Sequence, residues 1–323
     1  MKSEKTIKDE VSIVLAGAAG QGIQSIQKIL THIIKEDGYH VFTTMEFMSR
    51  VRGGMNSTEI RVSSNGGHAY VDTIDILIPL KQGLTPFLEQ RTTEDTIIIG
   101  EKDELDYEHI VDVPFSEIAK EIGNKLYSNT VAVGLISGLL KLDEKLVENY
   151  IAEVFSAKGE EVVEKNHRAL QEGYRRGKDL SKTYSIEISK TQKTENRMLL
   201  SGTNAVALGA LAGGCNFISA YPMSPSTGVL VSMAGYAERM GVVVEQAESE
   251  IAAINMAIGG WYAGGRAMIT TSGGGFALMT EGTSLAAMLE SPMVLHVAQR
   301  PGPATGLPTR TGQEDLNLVL HAG

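Results

Sequence analysis

Short apolar runs alternate with longer amphipathic stretches along most of the chain, and this alternation predicts strands that are each followed by a helix. The first run, at 11–16, leads into a Gly/Ala turn, after which 23–35 carries apolar residues at helical spacing. A long helical pattern covers 130–178. Further strand-like runs in this half lie at 39–44, 58–62, 74–79 and 96–100. Strands alternating with helices favour a mostly parallel sheet with helices on its faces.

A polar stretch at 179–197 divides the chain. It shows neither apolar periodicity nor turns that would fix a compact fold, so we predict a linker between a first domain at 1–178 and a second at 198–323. The second domain repeats the alternation, with predicted helices at 204–212, 226–240 and 249–263 and predicted strands at 217–221, 242–245, 267–271 and 294–298. We therefore expect a Rossmann-like α/β domain followed by a doubly wound α/β domain, which binds ligands at the carboxyl ends of its strands.

The turn at 17–22 has the sequence GAAGQG and opens a helix, as phosphate-binding turns do. Its spacing is GxxGxG, whereas dinucleotide folds use GxGxxG, and no clear acidic residue ends the second strand to hold a ribose. A nicotinamide dehydrogenase is therefore disfavoured. An anion site at Gly20 and Gly22 and a tight crossing without a ligand both stay open.

A second candidate anion site surrounds Arg50 and Arg52, which stand beside paired glycines. Guanidinium groups and free backbone N–H groups suit an anion. The alternative is a bulge or hairpin whose arginines pair with Glu46 and Glu59.

Two loops of the second domain combine polar side chains with helix starts. At 221–227 the sequence YPMSPST fixes the backbone with prolines and leaves the hydroxyls of Ser224 and Ser226 beside a helix N-terminus, which simple capping also explains. After the next strand come Glu245, Glu248 and Glu250. A carboxylate in the first turn of an apolar helix is often only a favourable dipole contact.

Two later loops carry glycines and an arginine. The run TSGGGF at 271–276 lets backbone lie flat against a ligand, or forms only a flexible turn. The run QRPGPATGLPTR at 299–310 ends on Arg310, which by itself could be a surface residue on an ordered loop.

Together these segments resemble the 2-oxoacid:ferredoxin oxidoreductases, specifically a fused γ/α-type subunit of the 2-oxoglutarate synthase kind. The second domain is similar, in order, to the family's YPITPSS, SE-(A/I)-(G/A)-A, TSGPG or TSGGG, and QRPGPSTGLPTR segments, with Ser224 replacing threonine and Ala304 replacing serine. The first domain resembles the γ domain, which carries GxGGQG and RGG, with Ala19 replacing a glycine. Family members continue beyond the last loop, so a C-terminally truncated chain is expected.

The resemblance implies CoA-dependent oxidative decarboxylation of a 2-oxoacid, with 2-oxoglutarate favoured and ferredoxin as electron acceptor. Thiamine diphosphate would be shared with a β subunit that also carries Mg²⁺ and the iron–sulfur clusters, because the chain has no GDG segment and a single cysteine, Cys215. The expected assembly is a dimer of heterodimers, inactive without the β partner. A truncated, non-catalytic nucleotide-binding or assembly module is the rival interpretation.

The resemblance also implies residue roles. Glu250 would be the catalytic acid at N1′ of the aminopyrimidine, in a thiamine-diphosphate-binding domain of the pyrimidine type. Ser224, Thr309 and Arg310 would bind substrate. The expected cofactor-binding residues are Tyr221, Pro222, Ser226, Ser272, Gly273, Gly274 and Gly275, and the candidate CoA or anion residues are Gly20, Gly22, Arg50 and Arg52. No metal site is expected in this chain.

Charge and hydropathy exclude other classes. A formal net charge of −10 argues against nucleic acid as a partner. No run approaches the length of a membrane span, and the polar N-terminus lacks the apolar stretch of a signal peptide. The protein is therefore predicted to be cytoplasmic.

Overall fold

The computed structural model describes residues 5–47, 54–302, 304–310 and 312–322. The chain folds as two units, Met1–Leu199 and Leu200–Gly323.

The first unit is built on a six-stranded sheet and a separate two-stranded sheet. Its strands are β1 Lys5–Lys8, β2 Glu10–Ala18, β3 His40–Glu46, β4 Met55–Ser63, β5 Ile76–Pro79, β6 Ile97–Gly100, β7 Ile110–Asp112 and β8 Tyr184–Glu187. The large sheet has the order β3-β4-β2-β5-β6-β7. Only β4 runs against the other strands, since it pairs antiparallel with both β2 and β3. The expectation of a mostly parallel sheet is confirmed.

The described part of the first unit has six α-helices: α1 Ile23–Glu36, α2 Pro86–Arg91, α3 Phe115–Ile122, α4 Ser128–Leu139, α5 Glu144–Phe155 and α6 Glu160–Leu180. The last three occupy the predicted helical stretch at 130–178. The backbones of helices α4 and α6 are in direct contact. An added Cβ on Gly134 would lie 2.3 Å from the Leu170 carbonyl oxygen, and one on Gly177 would lie 2.0 Å from the Leu135 carbonyl oxygen. Glycine is therefore required where these two helices touch.

The segment predicted as a linker, 179–197, is structured. It contains the end of α6, strand β8 and a 3-10 turn at Gln192–Thr194. Strand β8 pairs in parallel with β1, so that Ile186 lies opposite Ile7 and both side chains are buried. The partner strand is almost the whole first unit away in sequence, which is why the short polar pattern of β8 did not reveal its pairing.

The second unit is a four-stranded parallel sheet with helices on both faces, as predicted. Its strands are β9 Phe217–Ala220, β10 Val243–Gln246, β11 Ala267–Thr271 and β12 Val294–Val297, and its helices are α7 Gly202–Ala212, α8 Thr227–Met240, α9 Glu250–Tyr262, α10 Gly273–Leu278, α11 Thr280–Met288 and α12 Leu316–His321. One core, with Ile218 and Met233, lies on the side of α7 and α8. The other, with Ala253 and Ile269, lies under α9 and α11.

The strand order β10-β9-β11-β12 places a topological switch point between β9 and β11. Because all four strands are parallel, their carboxyl ends lie at one edge of the sheet. None of the helices within the described ranges is long and apolar enough to cross a bilayer.

Candidate functional site

The carboxyl edge of the second unit's sheet gathers most of the side chains that the sequence singled out. Ser224 lies in the loop after β9, Glu250 opens the helix after β10, and Ser272 directly follows β11. The loop after β12 contains Gln299 and Arg300. A parallel sheet therefore brings together four segments, each of which is separated from the next by about 20 to 30 residues of the chain.

Glu250 is the buried member of the three candidate glutamates. Ser249 caps α9 by accepting a hydrogen bond from the Ala252 N–H at 3.1 Å, and Glu250 is then the first residue of the helix. Its exposed fraction is 5%, whereas Glu245 and Glu248 are exposed. The Oε1 atom of Glu250 is buried and has no hydrogen-bond partner among the described residues. An unpaired buried carboxylate oxygen is costly, so its place favours a ligand that supplies a hydrogen-bonding group.

The three glycines after Ser272 each allow a different close contact. A Cβ on Gly273 would lie 1.9 Å from Asp315 Oδ1, and one on Gly274 would lie 3.0 Å from the Ala304 carbonyl oxygen. A Cβ on Gly275 would lie 2.8 Å from Glu250 Cγ. These glycines, predicted to make room for a cofactor, thus also make room for neighbouring parts of the chain. Sequence alone does not identify those neighbours.

The loop at 221–227 is held by its own hydrogen bonds. Ser226 is fully buried, and its hydroxyl donates to the Met223 carbonyl at 2.6 Å. Ser224 is partly buried, and its carbonyl accepts a hydrogen bond from Arg300 Nη1 at 2.7 Å. Tyr221 is 40% exposed. The hydroxyl of Ser226 therefore shapes the loop, and the carbonyl of Ser224 links the loop to the segment after β12.

Arg300 is a functional candidate that the sequence analysis did not single out. It is 6% exposed, and its Nε atom is buried without a hydrogen-bond partner in the part of the chain that the structure describes. Thr309 and Arg310, the predicted substrate residues, are both partly buried. The backbone N–H of Arg310 donates to the Leu307 carbonyl at 3.0 Å. The signal for Arg300 was its place three residues after an apolar strand, at the edge where ligands bind.

Among the described residues of the second unit, the buried side-chain polar atoms that lack a hydrogen-bond partner lie at this edge. They are Glu250 Oε1, Ser272 Oγ, Arg300 Nε and Asp315 Oδ2. Buried polar groups are normally paired, and a cluster of exceptions is typical of a ligand site. Two carboxylates, a hydroxyl and a guanidinium group suit a ligand with a nitrogen heterocycle beside an anionic group.

Other titratable side chains of the second unit have structural surroundings. His296 Nδ1 lies 2.9 Å from the Thr270 hydroxyl, and burial lowers the pKa of the imidazole. Burial also raises the pKa of the partly buried Cys215 thiol, whereas a reactive cysteine has a lowered thiol pKa. Among the described residues, no group of three or more His, Cys, Asp or Glu side chains is placed to hold a metal ion.

The Gly-rich turn of the first unit is held from two sides. Gly20 and Gly22 have φ values of 89° and 79°, in the left-handed region that favours glycine. A Cβ on Gly22 would lie 1.9 Å from Asn129 Nδ2, and the Gln21 side chain donates to the Leu80 carbonyl at 3.1 Å. The shape of the turn is therefore set by its left-handed glycines and by the neighbouring side chains of Gln21 and Asn129.

A cavity of about 390 Å³ lies beside this turn. Gly20 and Gly22 line one side, and Phe47 and Asn56, which flank the segment 48–53, line another. Arg50 and Arg52 lie outside the described residues.

Glu59, one of the two glutamates in the alternative pairing of those arginines, has partners in the described part of the chain. The Glu59 carboxylate is buried and accepts hydrogen bonds from Arg91 and from the Ser12 hydroxyl.

The fold and the site define an α/β ligand-binding unit of the doubly wound class, joined to a Rossmann-like unit with a glycine-rich turn. Residues 12–176 match the model of the pyruvate ferredoxin/flavodoxin oxidoreductase family, and residues 208–323 match the model of that enzyme's thiamine-diphosphate-binding domain. The chain belongs to this family. The resemblance drawn from the sequence motifs is thereby confirmed.

Individual relatives agree with this assignment. The chain is similar to a solved 2-oxoglutarate:ferredoxin oxidoreductase from Magnetococcus marinus with 2-oxoglutarate, coenzyme A and succinyl-CoA bound, with 32% identity, a TM-score of 0.90, and coverage of 98% of this chain and 57% of that one. A 2-oxoacid:ferredoxin oxidoreductase subunit alpha from Sulfolobus sp. is 29% identical over 97% of this chain and 58% of the relative. The 2-oxoglutarate synthase subunit KorA from Archaeoglobus fulgidus is 45% identical over 36% of this chain and 34% of the relative. The chain thus spans less than three fifths of the first two relatives' length.

Proposed function

We propose that this chain supplies the aminopyrimidine side of a thiamine-diphosphate site in a 2-oxoacid:ferredoxin oxidoreductase. The observation that carries the proposal is the buried, unpaired Oε1 of Glu250 in the unit that matches the thiamine-diphosphate-binding model. When bound, thiamine diphosphate supplies the carbon nucleophile for decarboxylation of a 2-oxoacid, and it needs a glutamate at N1′ of its aminopyrimidine ring. Glu250 fits this need because its carboxyl group is held out of water at the sheet edge.

Glu250 would share a proton with N1′ from a fixed position. The Ser249 cap holds the start of α9, and the absent side chain of Gly275 leaves the space beside the carboxyl group. Burial excludes water that would compete for the carboxylate and strengthens the hydrogen bond to the ring. Ser272, Gly273 and Gly274 follow β11 at the same edge and are proposed to line the cofactor, as are Tyr221 and Pro222 after β9.

Substrate recognition is proposed to use the loops after β9 and β12. Arg300 joins them through its hydrogen bond to the Ser224 carbonyl, and its buried guanidinium group suits the carboxylate of a 2-oxoacid. Thr309 and Arg310 remain proposed substrate residues, with the Ser224 hydroxyl beside the keto group. The likeness to the Magnetococcus enzyme and to KorA favours 2-oxoglutarate as the substrate.

A β-type partner subunit would complete the site. The described residues offer no metal cluster for Mg²⁺ at a diphosphate, and the single cysteine of the chain cannot hold an iron–sulfur cluster. The proposal therefore assigns the diphosphate, the Mg²⁺ and the clusters to that partner, in a dimer of heterodimers that reduces ferredoxin.

The first unit is proposed to face coenzyme A, with the phosphates near Gly20 and Gly22. Two cavities lie beside the turn, and the one lined by Phe47 and Asn56 is the better candidate. The other, of about 270 Å³, is lined by two carboxylates, Glu101 and Glu104, and by one lysine, Lys125. Carboxylates repel a phosphate, whereas Arg50 and Arg52 belong to the segment that follows Phe47.

The experiment that tests the proposal changes Glu250 to Gln in the chain assembled with a β-type subunit. Exchange of the C2 proton of bound thiamine diphosphate should slow by a factor on the order of 10²–10⁴, as for loss of a general acid or base. The affinity for thiamine diphosphate should change little, because the amide keeps the size of the group and most binding contacts lie elsewhere.

Glu248→Gln is the matched control, since Glu248 is exposed and two residues away. It should leave C2 proton exchange at the wild-type rate. Wild-type exchange in Glu250→Gln would remove the main support for the proposal, and the non-catalytic assembly module would then be the better interpretation.

A further inference from the structure

A serine lies fully buried in the middle of the second unit's sheet. Ser219 of β9 has an exposed fraction of 0%, and its register partners are Glu245 of β10 and Ile269 of β11. Strands of parallel sheets that are covered on both faces are usually apolar throughout. Its chain neighbours follow this rule, since Ile218 and Ala220 are buried in the core on the opposite face. A hydroxyl group at this buried position is therefore expected to have a specific role.

The hydroxyl of Ser219 bonds to the helix that carries Glu250. Ser219 Oγ donates to the carbonyl oxygen of Ala253 in α9 at 2.7 Å. Ala253 lies three residues after Glu250, on the same buried face of the helix. The bond thus ties the first turn of α9 to the central strand close to the glutamate.

Helix α9 meets β9 at a second point, and the contact there is of a different kind. Near the end of the helix, a Cβ on Gly260 would lie 3.2 Å from Phe217 Cδ1. Phe217 is two residues before Ser219 and on the same face of the strand. The contact at Phe217 is van der Waals packing and tolerates sliding, whereas the bond at Ser219 is directional. The hydrogen bond therefore fixes the first turn of α9.

We infer that Ser219 is a positioning residue for Glu250, acting through the Ala253 carbonyl to set where the Glu250 carboxyl group stands at the sheet edge. The inference rests on the proposed function, in which Glu250 meets the aminopyrimidine ring. On its other side the carboxyl group is bounded by Gly275, so that it occupies a narrow slot. A small shift of the first turn moves the carboxyl group within this slot, and a misplacement of about 1 Å can cost a reaction about 10²-fold.

The first test uses this chain alone and amide hydrogen exchange followed by NMR. Ser219→Ala should speed exchange of the first-turn amides of α9, including that of Ala253, by about 3- to 10-fold, as expected for the loss of one buried hydrogen bond. Amides of β11 should keep their wild-type rates. The matched control is Ser137→Ala, which removes a buried hydroxyl that has no hydrogen-bond partner in the described structure of the first unit. It should leave α9 unchanged.

The second test measures C2 proton exchange of thiamine diphosphate in the complex with a β-type subunit. Ser219→Ala should slow this exchange about 10-fold or more and leave cofactor affinity within about 2-fold. Phe217→Leu, which loosens the far end of α9, should not slow it. In a Glu250→Gln background, Ser219→Ala should have no further effect, because a positioning residue acts only through the group it positions.

The outcomes separate the two claims. Wild-type C2 exchange in Ser219→Ala, or an equal slowing in both the native and the Glu250→Gln backgrounds, overturns the inference about Ser219. Wild-type exchange in Glu250→Gln itself counts against the proposed function instead.

Discussion

Gly275→Ala is expected to displace the Glu250 carboxyl group by direct steric contact. The added methyl group would lie 2.1 Å from Thr271 Oγ1 and 2.8 Å from Glu250 Cγ. Both neighbours are buried, so neither can swing away into solvent. Overpacking of this kind lowers the free energy of unfolding by about 1–3 kcal/mol. The higher helix propensity of Ala offsets up to about 1 kcal/mol of this loss. We expect a net loss of about 1–2 kcal/mol in the free energy of unfolding of the second unit.

Urea unfolding of the chain and C2 proton exchange in the assembled enzyme measure the two consequences of Gly275→Ala. Exchange should slow about 10-fold or more, because the carboxyl group is pushed from its slot. Gly209→Ala in α7 is the matched control, since its Cβ would meet nothing within 4 Å, and it should stabilise the unit by about 0.4–1 kcal/mol. Wild-type stability and wild-type exchange in Gly275→Ala would refute the close packing of this glycine against Glu250.

Two further predictions concern the loop after β12 and the neighbouring histidine. Arg300→Met should raise the KM for the 2-oxoacid about 10- to 100-fold in steady-state kinetics, as expected for the loss of a charged hydrogen bond. It should leave C2 proton exchange unchanged. An unchanged KM would exclude Arg300 from substrate binding. Burial lowers the pKa of His296 in the folded protein. The contribution of His296 to the free energy of unfolding is therefore fully present above a pH of about 6.5. It falls as the pH drops below that value, because the histidine of the unfolded chain takes up a proton first. Urea midpoints should therefore fall less between pH of about 7.5 and about 5.5 in His296→Gln than in the exposed control His109→Gln, and equal falls would contradict the reasoning.

The sequence predicted those parts of the fold in which local pattern and tertiary packing agree. The strand predicted at 11–16 is the centre of β2, and the helix predicted at 23–35 is α1 with one residue more. Strand β8 was missed because its partner β1 is distant in sequence and both strands are short and polar. Helix α10 was read as a turn because it begins with three glycines, whose low helix propensity is overridden by tight tertiary contacts.

For the site, parallel topology was enough to predict which loops meet, but burial was not readable from the sequence. Glu245, Glu248 and Glu250 look alike in the chain, and only the direction of α9 decides that Glu250 is the buried one. Arg300 was passed over for Arg310 although its place just after β12 was a signal, because the sequence does not show which of the two loop arginines is the more buried. Ser226 stays a predicted cofactor-binding residue, and the hydrogen bond of its hydroxyl to its own loop at Met223 was not readable from the sequence either.

The most direct test of the central claim, that this chain holds only the aminopyrimidine side of the site, is a calorimetric titration with thiamine diphosphate and Mg²⁺. With the chain alone we predict little heat, since the diphosphate and Mg²⁺ ligands belong to the partner. Addition of a β-type subunit should then produce saturable, Mg²⁺-dependent binding. Tight, Mg²⁺-dependent binding by this chain alone would contradict the split site.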